Sequence, residues 1–258
     1  MRRELRAEWT KLRTVSGPIP LLLGTVVVTV AVSALAAGAM SCPAAGCGQD
    51  AARIGLFGVQ LGQGLVALLA VVMVCGEYGS GMIRTSLTAM PRRIRLLAVR
   101  AALVSGLTLA AGTVAVLGSV LVAGLLLPGN GFTPEHGYPP LSLLDGPTLR
   151  ASAGSVLYLV VIALLSLGVA TAIRDSAVAT GVVLGLVYLF PMVVLMVRNE
   201  DLQLVLWRIS PMNAGLTVQA TTSLPGMPIG PWAGLGVAAA WAVAALLVGG
   251  LLLRKRDA

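Results

Sequence analysis

Few side chains in this sequence are able to do chemistry, and their identities close off most of it. His136 is the single histidine and stands in a proline-rich loop among Pro134, Pro139 and Pro140, so it reads as a surface residue rather than as the base of a Ser-His-Asp relay or a zinc ligand. The only lysines are Lys11, after Thr10, and Lys255, after Arg254. A phosphate-cradling loop needs Gly-Lys-Ser/Thr, so no nucleotide-hydrolysing site is present. Cys42 and Cys47 lie in Ser41-Cys-Pro-Ala-Ala-Gly-Cys. In an oxidising exterior they are able to bridge, and equally they read as two small loop residues. Cys75 reads as an inert small hydrophobe. Gln60 and Gln63, three residues apart, share one helical face that must meet protein or a cavity, because lipid leaves amides unpaired. They either touch a transported molecule or glue helices together. No residue of the chain is read as catalytic, cofactor-binding or metal-ligating.

The elements that position these residues follow from composition. Of 258 residues 57% are hydrophobic and 11% charged, which leaves too little polar surface for a water-soluble domain. Three cysteines do not make a disulfide scaffold, and neither a Gly-X-Y nor a heptad period is present. Continuous apolar runs at 18–40, 54–75, 97–127, 151–173, 176–197 and 232–253 each supply the roughly 20 residues that cross a bilayer as a helix. The expected fold is all-α and integral to the membrane, a single domain over 1–258 with six transmembrane helices.

The net charge of +8 reads as topology rather than as a nucleic-acid surface, because the basic residues stand at the ends of the runs and do not interleave with aromatics. Arg2, Arg3, Arg6, Lys11, Arg13, Arg84, Arg92, Arg93, Arg95, Arg100, Arg174, Arg254, Lys255 and Arg256 fall on one side, against Arg53, Arg150, Arg198 and Arg208 on the other. This excess predicts that both termini are cytoplasmic. The first run is too long for a signal-peptide core and is read as retained. With Arg100 assigned to the connection, the spans are read as free of charged residues, which disfavours a proton relay or ion-coupled carrier. Gly58-Val-Gln-Leu-Gly62 and Gly181-Val-Val-Leu-Gly185 are small-xxx-small pairs that serve either packing within the chain or a dimer interface.

Two flanking segments are more specific. Leu5, Trp9 and Leu12 recur at helical spacing with arginines on the other faces, the pattern of an interfacial helix on anionic lipid. After the second span, Gly79 and Gly81 permit a sharp exit, Ile83, Leu87 and Met90 form a short apolar face beside Arg84, and Pro91 ends it.

Together, Glu8-Trp-Thr-Lys-Leu-Arg-Thr14, the stretch Glu77, Tyr78, Gly79, Ser80, Gly81, Met82, Ile83, Arg84 and Thr85 with Pro91-Arg-Arg, and the six-span layout resemble the permease subunits of type-2 ABC exporters. The resemblance implies an elbow helix at 1–15, a coupling segment at 76–96 whose residues 77–85 meet an ATPase, and a short interfacial or re-entrant segment at 198–231 outside the membrane. It implies two copies of a separate ATPase subunit that carries ATP and Mg, and a second permease chain, identical or different. Gly181 and Gly185 would border that chain. The expected function is export of a hydrophobic, lipid-like, peptide or drug molecule, as in multidrug or antibiotic resistance, from a bacterial cytoplasmic membrane. The expected partners also include membrane lipids and exclude nucleic acid. The rival readings are an ion-coupled carrier and a non-transport membrane immunity protein.

Overall fold

A computed structural model describes residues 17–43, 47–79, 93–222 and 224–255. Among them every regular element is helical: α1 (Pro18–Ala39), α2 (Ala51–Gly55), α3 (Val59–Gly79), α4 (Arg93–Leu126), α5 (Gly146–Ile173), α6 (Ser176–Leu184), α7 (Phe190–Met196), α8 (Glu200–Ile209), α9 (Pro211–Gly215) and α10 (Pro231–Lys255). Six helices are long and apolar enough to cross a membrane: α1, α3, α4, α5, α6 continued into α7, and α10. The chain is a multi-pass membrane protein.

Local chemistry sets the ends. Pro18 opens α1 and Pro147 lies in the first turn of α5, positions where a missing N–H costs nothing. The α5–α6 connection is only Arg174 and Asp175. Arg174 takes the left-handed conformation at φ 68° and closes α5 through its N–H to Ala170 O, and the Asp175 carboxylate accepts from Val178 N at 2.8 Å to start α6.

The core centres on α5, which packs against α3, α4, α6 and α10, while α1 lies against α3 and α4. Tyr158, Leu159, Ile162, Ala163, Leu165 and Leu167 of α5 are all enclosed. By contrast, Leu23, Val27 and Leu35 of α1 and Leu195 and Met196 of α7 are exposed. In lipid such a surface carries no penalty, and helix association relies on close packing instead.

Three boundaries differ from the sequence reading. The run beginning at 54 is not one helix: α2 stops at Gly55, the chain turns through Leu56, Phe57 and Gly58, and α3 starts at Val59. A Cβ on Gly58 would stand 1.9 Å from Thr29 O, so the turn brings backbone against backbone where no larger residue fits. At the other end α3 runs past Cys75 through Glu77 and Tyr78 to Gly79, its last residue and the last one described before 93. Finally, Arg100 lies inside α4 and is 4% exposed. The reading that no span contains a charged residue is therefore corrected: position 100 falls inside the run set at 97–127, and the helix is continuous through it, so the arginine belongs to the span and not to the connection.

Candidate functional site

Polar side chains inside an apolar bundle must find partners, because burial without them costs several kcal/mol in hydrocarbon. Gln63 and Tyr158 are both fully enclosed, and the Tyr158 hydroxyl donates to Gln63 Oε1. Gln63 Nε2 donates to Gln60 O at 2.9 Å, and the Tyr188 hydroxyl donates to the same carbonyl at 2.7 Å. Three spans are thus tied at one point. Tyr188 reaches it from a π-helical turn, Gly185–Leu189, that links α6 to α7. It fits because Gly64 has no side chain: a Cβ there would lie 2.8 Å from the Tyr188 oxygen. Single π turns arise where an extra residue is accommodated in a helix, and Pro191 follows two residues later.

Nearer the loops a second cluster forms. Gln219 Nε2 donates to Ser155 Oγ at 3.1 Å and towards Leu56 O at 3.4 Å, and Ser155 Oγ donates to Ala151 O at 2.8 Å. Gln219 arrives there because the chain between α8 and α10 folds back into the bundle. Ser210 caps α9 by accepting from Asn213 N, Pro211 occupies its first position, and residues 214–220 are buried. Gly215 seats on the Tyr158 ring and Gly154 on Val218, where any Cβ would come within 2.4 and 2.1 Å respectively.

This end of the bundle is capped by interlocked loops. The Asp50 carboxylate accepts from Arg53 N at the start of α2, from Thr221 N and Thr221 Oγ1, and from Thr222 N. Arg150 Nη2 donates to Ala220 O at 2.6 Å. Asn130 Nδ2 donates to Ala37 O at 2.8 Å, and Cys42 N to Asn130 O at 2.8 Å. Gly131, at φ 90°, leaves no room for a side chain beside Cys42 O. Phe132 and Tyr138 meet edge to face, 5.0 Å apart, over a small apolar cluster containing Leu127 and Cys42. His136 Nδ1 pairs with Gly131 O at 2.7 Å.

Between the α1–α3 connection and the fold-back lies an open cleft of about 480 Å³, lined by Gln49, Asp50, Arg53, Phe57, Gln60 and Met227 among others. It mixes apolar and polar walls and has the dimensions of a small-ligand site.

The expected site residues are distributed as follows. Gln63 is helix glue, whereas Gln60 is half-buried and lines the cleft. Cys42 and Cys47 are joined as a disulfide with Cα atoms 5.8 Å apart, and Cys75 is a buried free thiol. Gly58 and Gly62 pack within the chain, both on Thr29 of α1. A Cβ on Gly181 would meet nothing, and one on Gly185 would touch only Leu189 of its own span, so Gly181 is exposed, Gly185 is half-buried, and neither packs closely against another helix. Leu5, Trp9 and Leu12, and Ser80, Gly81, Met82, Ile83, Arg84 and Thr85, lie outside the described residues. In the 198–231 segment α8 leaves Leu202, Val205 and Ile209 exposed, and residues 214–220 are buried.

Sequence reasoning passed over Tyr158, Tyr188, Asp50, Ser155 and Gln219. Asp50 alone carried a local signal, an acidic residue directly before a helical start. Arg53 and Arg150 entered only as topology charges. Among the described residues no three His, Cys, Asp or Glu side chains converge on a metal site. No protein-family model matches the chain, and no curated protein matches it by sequence.

Proposed function

We propose that the chain is the permease subunit of a type-2 ABC exporter, in which a pair of permease chains is driven by two copies of a separate ATPase holding ATP and Mg. The observation that carries this reading is the connection after the second span, Glu77 to Thr85 followed by Pro91-Arg-Arg, suspended between two long helices. One of them, α3, continues through Glu77, Tyr78 and Gly79, and the other, α4, resumes at Arg93. A connection held between rigid helices transmits a push from a soluble partner into both spans. The six apolar helices and the fold-back ahead of α10 support the same reading.

In this reading the capped end faces out of a bacterial cytoplasmic membrane, both termini face the cytoplasm, and the 198–231 segment closes the exit side. Gly181 and Gly185 stand on a face open to a second permease chain. The transported molecule is hydrophobic or amphiphilic, since the polar side chains at membrane depth around Gln63 and Tyr158 bond to one another rather than presenting a charged path. Hydrolysis belongs to the partner, and this chain is not itself an enzyme.

The test is purification in mild detergent of the chain expressed with its genomic neighbours, followed by mass spectrometry and an ATPase assay. One P-loop ATPase per permease, inactive when its Walker lysine is replaced, supports the proposal. Arg84→Glu should then abolish coupling while insertion persists. Recovery of the chain alone, without nucleotide-dependent behaviour, overturns it and returns the carrier and immunity-protein readings.

A further inference from the structure

We infer that the cleft at the capped end binds the phosphate headgroup of a membrane phospholipid. Its walls come from segments far apart in sequence: the α1–α2 loop and α2, the turn leading into α3, and the fold-back near Met227. Two acidic or basic side chains line it, and they differ in what they leave unused. Both oxygens of Asp50 are occupied by the donors of Arg53 N, Thr221 and Thr222. The Arg53 guanidinium is exposed and makes no ion pair or hydrogen bond among the described residues, since only its backbone N–H is engaged. Gln60 is similar: its carbonyl is taken by Gln63 and Tyr188, and its side-chain amide on the cleft wall is unbonded among the described residues.

The groups left over are therefore a planar guanidinium, the Gln60 amide and the side-chain amide of Gln49, whose buried Oε1 has no partner among the described residues. A phosphodiester complements them, because its two anionic oxygens match the guanidinium fork and a further oxygen accepts from the Gln60 amide. Phe57, 44% exposed, and Met227 supply apolar surface beside them, which suits the glycerol backbone and first methylenes of an acyl chain. Depth agrees with that occupant. Arg53 stands on α2, six residues before Val59 opens the second span, which places its charge at the headgroup layer and Phe57 at the edge of the hydrocarbon. A space of about 480 Å³ accommodates a headgroup, with the tails left in the bilayer. This inference rests on the membrane-spanning fold and the cleft, and stands whether or not the chain is a permease.

Native mass spectrometry of the purified full chain, titrated with phosphatidylglycerol in detergent, provides the test. Wild type should retain one lipid per chain, and Arg53→Gln should weaken retention about tenfold, the loss expected for one charge-assisted contact. Arg208→Gln, which removes an exposed arginine of α8 at the same end, should leave retention unchanged. Millimolar inorganic phosphate should not displace the lipid, and diacylglycerol, which lacks the phosphate, should not be retained. Equal retention by Arg53→Gln, equal retention of diacylglycerol, or saturation by inorganic phosphate alone would each overturn the assignment. Thermal melts check that Arg53→Gln is folded. If it melts early, Gln60→Leu gives the same readout through the second donor, and unchanged retention in that variant counts against the site.

Discussion

The Tyr158–Gln63 pair offers a prediction whose size can be worked from the structure. Tyr158→Phe leaves Gln63 Oε1 enclosed without its donor, and Gln63→Leu leaves the Tyr158 hydroxyl enclosed without its acceptor, so each single change should cost about 1–3 kcal/mol. The second change also removes the Gln63 Nε2 bond to Gln60 O. That bond is internal to α3 and is lost in both Gln63→Leu backgrounds, so it cancels from a double-mutant cycle. Couplings between polar pairs in membrane helices average about 0.6 kcal/mol and reach about 1.7. Complete burial of both partners argues for the upper figure, but the Tyr188 hydroxyl, which donates to Gln60 O beside the pair, can turn to the orphaned Gln63 oxygen at the cost of that bond. The expected coupling is therefore about 1 kcal/mol, rising towards the upper figure when the cycle is repeated on Tyr188→Phe. Reversible unfolding in mixed micelles, followed through the fluorescence of Trp207, Trp232 and Trp241, measures it. A coupling below about 0.3 kcal/mol, or one that falls when Tyr188 loses its hydroxyl, refutes the reasoning.

Three further outcomes are expected. Gly62→Val should lower the melting temperature by the equivalent of at least about 1–3 kcal/mol, because its Cβ would stand 2.1 Å from Thr29 Oγ1, whereas Gly181→Val should change the melt of the single chain by less than about 0.5 kcal/mol. A large penalty at Gly181 would contradict its open position, and loss of cross-linked dimer without such a penalty would mark a chain-to-chain contact there. Asp50→Ala should raise amide hydrogen exchange at Thr221 and Thr222 and destabilise the fold by about 2 kcal/mol, since it releases three backbone N–H groups; unchanged protection at those amides would remove Asp50 from the role given to it. Reduction of Cys42–Cys47, which closes a short loop, should cost about 2 kcal/mol, read as a lower melting temperature with dithiothreitol that is matched by Cys42→Ser and absent from a variant already lacking both thiols.

Spans are legible because lipid imposes length and apolarity on each of them separately, so the runs beginning at Pro18 and Ser176 needed no knowledge of their neighbours. Fine structure at the ends was less so. The turn at Leu56–Gly58 depends on Thr29 of α1, and no pattern within 54–75 announces a contact with residue 29. The same holds for Gln219. Its segment reads as an interfacial or re-entrant stretch without saying which residues go inward, and residues 214–220 are buried because Gly154 and Gly215 open room for them beside α5. Glycines in α5 and α9 carried that information, but only for a reader who already knew which helices face each other. Gln60 and Gln63 were legible as a pair facing protein, and the division between them was not, since it rests on Tyr158 and Tyr188, which arrive from two other spans.

The two ends of the bundle are built on different principles, and this bears on how force could pass through it. At the capped end the loops are joined laterally: Asp50 holds 221–222, Arg150 holds Ala220, and Asn130 holds Ala37. At the opposite end α5 and α6 are joined by Arg174 and Asp175 alone, a connection too short to let the two helices separate there. In the proposed permease, a push on the end of α3 away from the cap meets capped loops that are tied to one another. It must either tilt α1, α3 and the fold-back as a unit or break the Asp50 junction. The Gln60 carbonyl, which accepts from both Gln63 Nε2 and Tyr188, sits where those alternatives diverge. Tilting as a unit carries Gln60 past the π turn that holds Tyr188, whereas breaking the Asp50 junction leaves that contact in place. The π turn at Gly185–Leu189 interrupts the regular hydrogen-bond ladder of the fifth span, so the contact between Tyr188 and the Gln60 carbonyl is where the two alternatives would be told apart in the proposed permease.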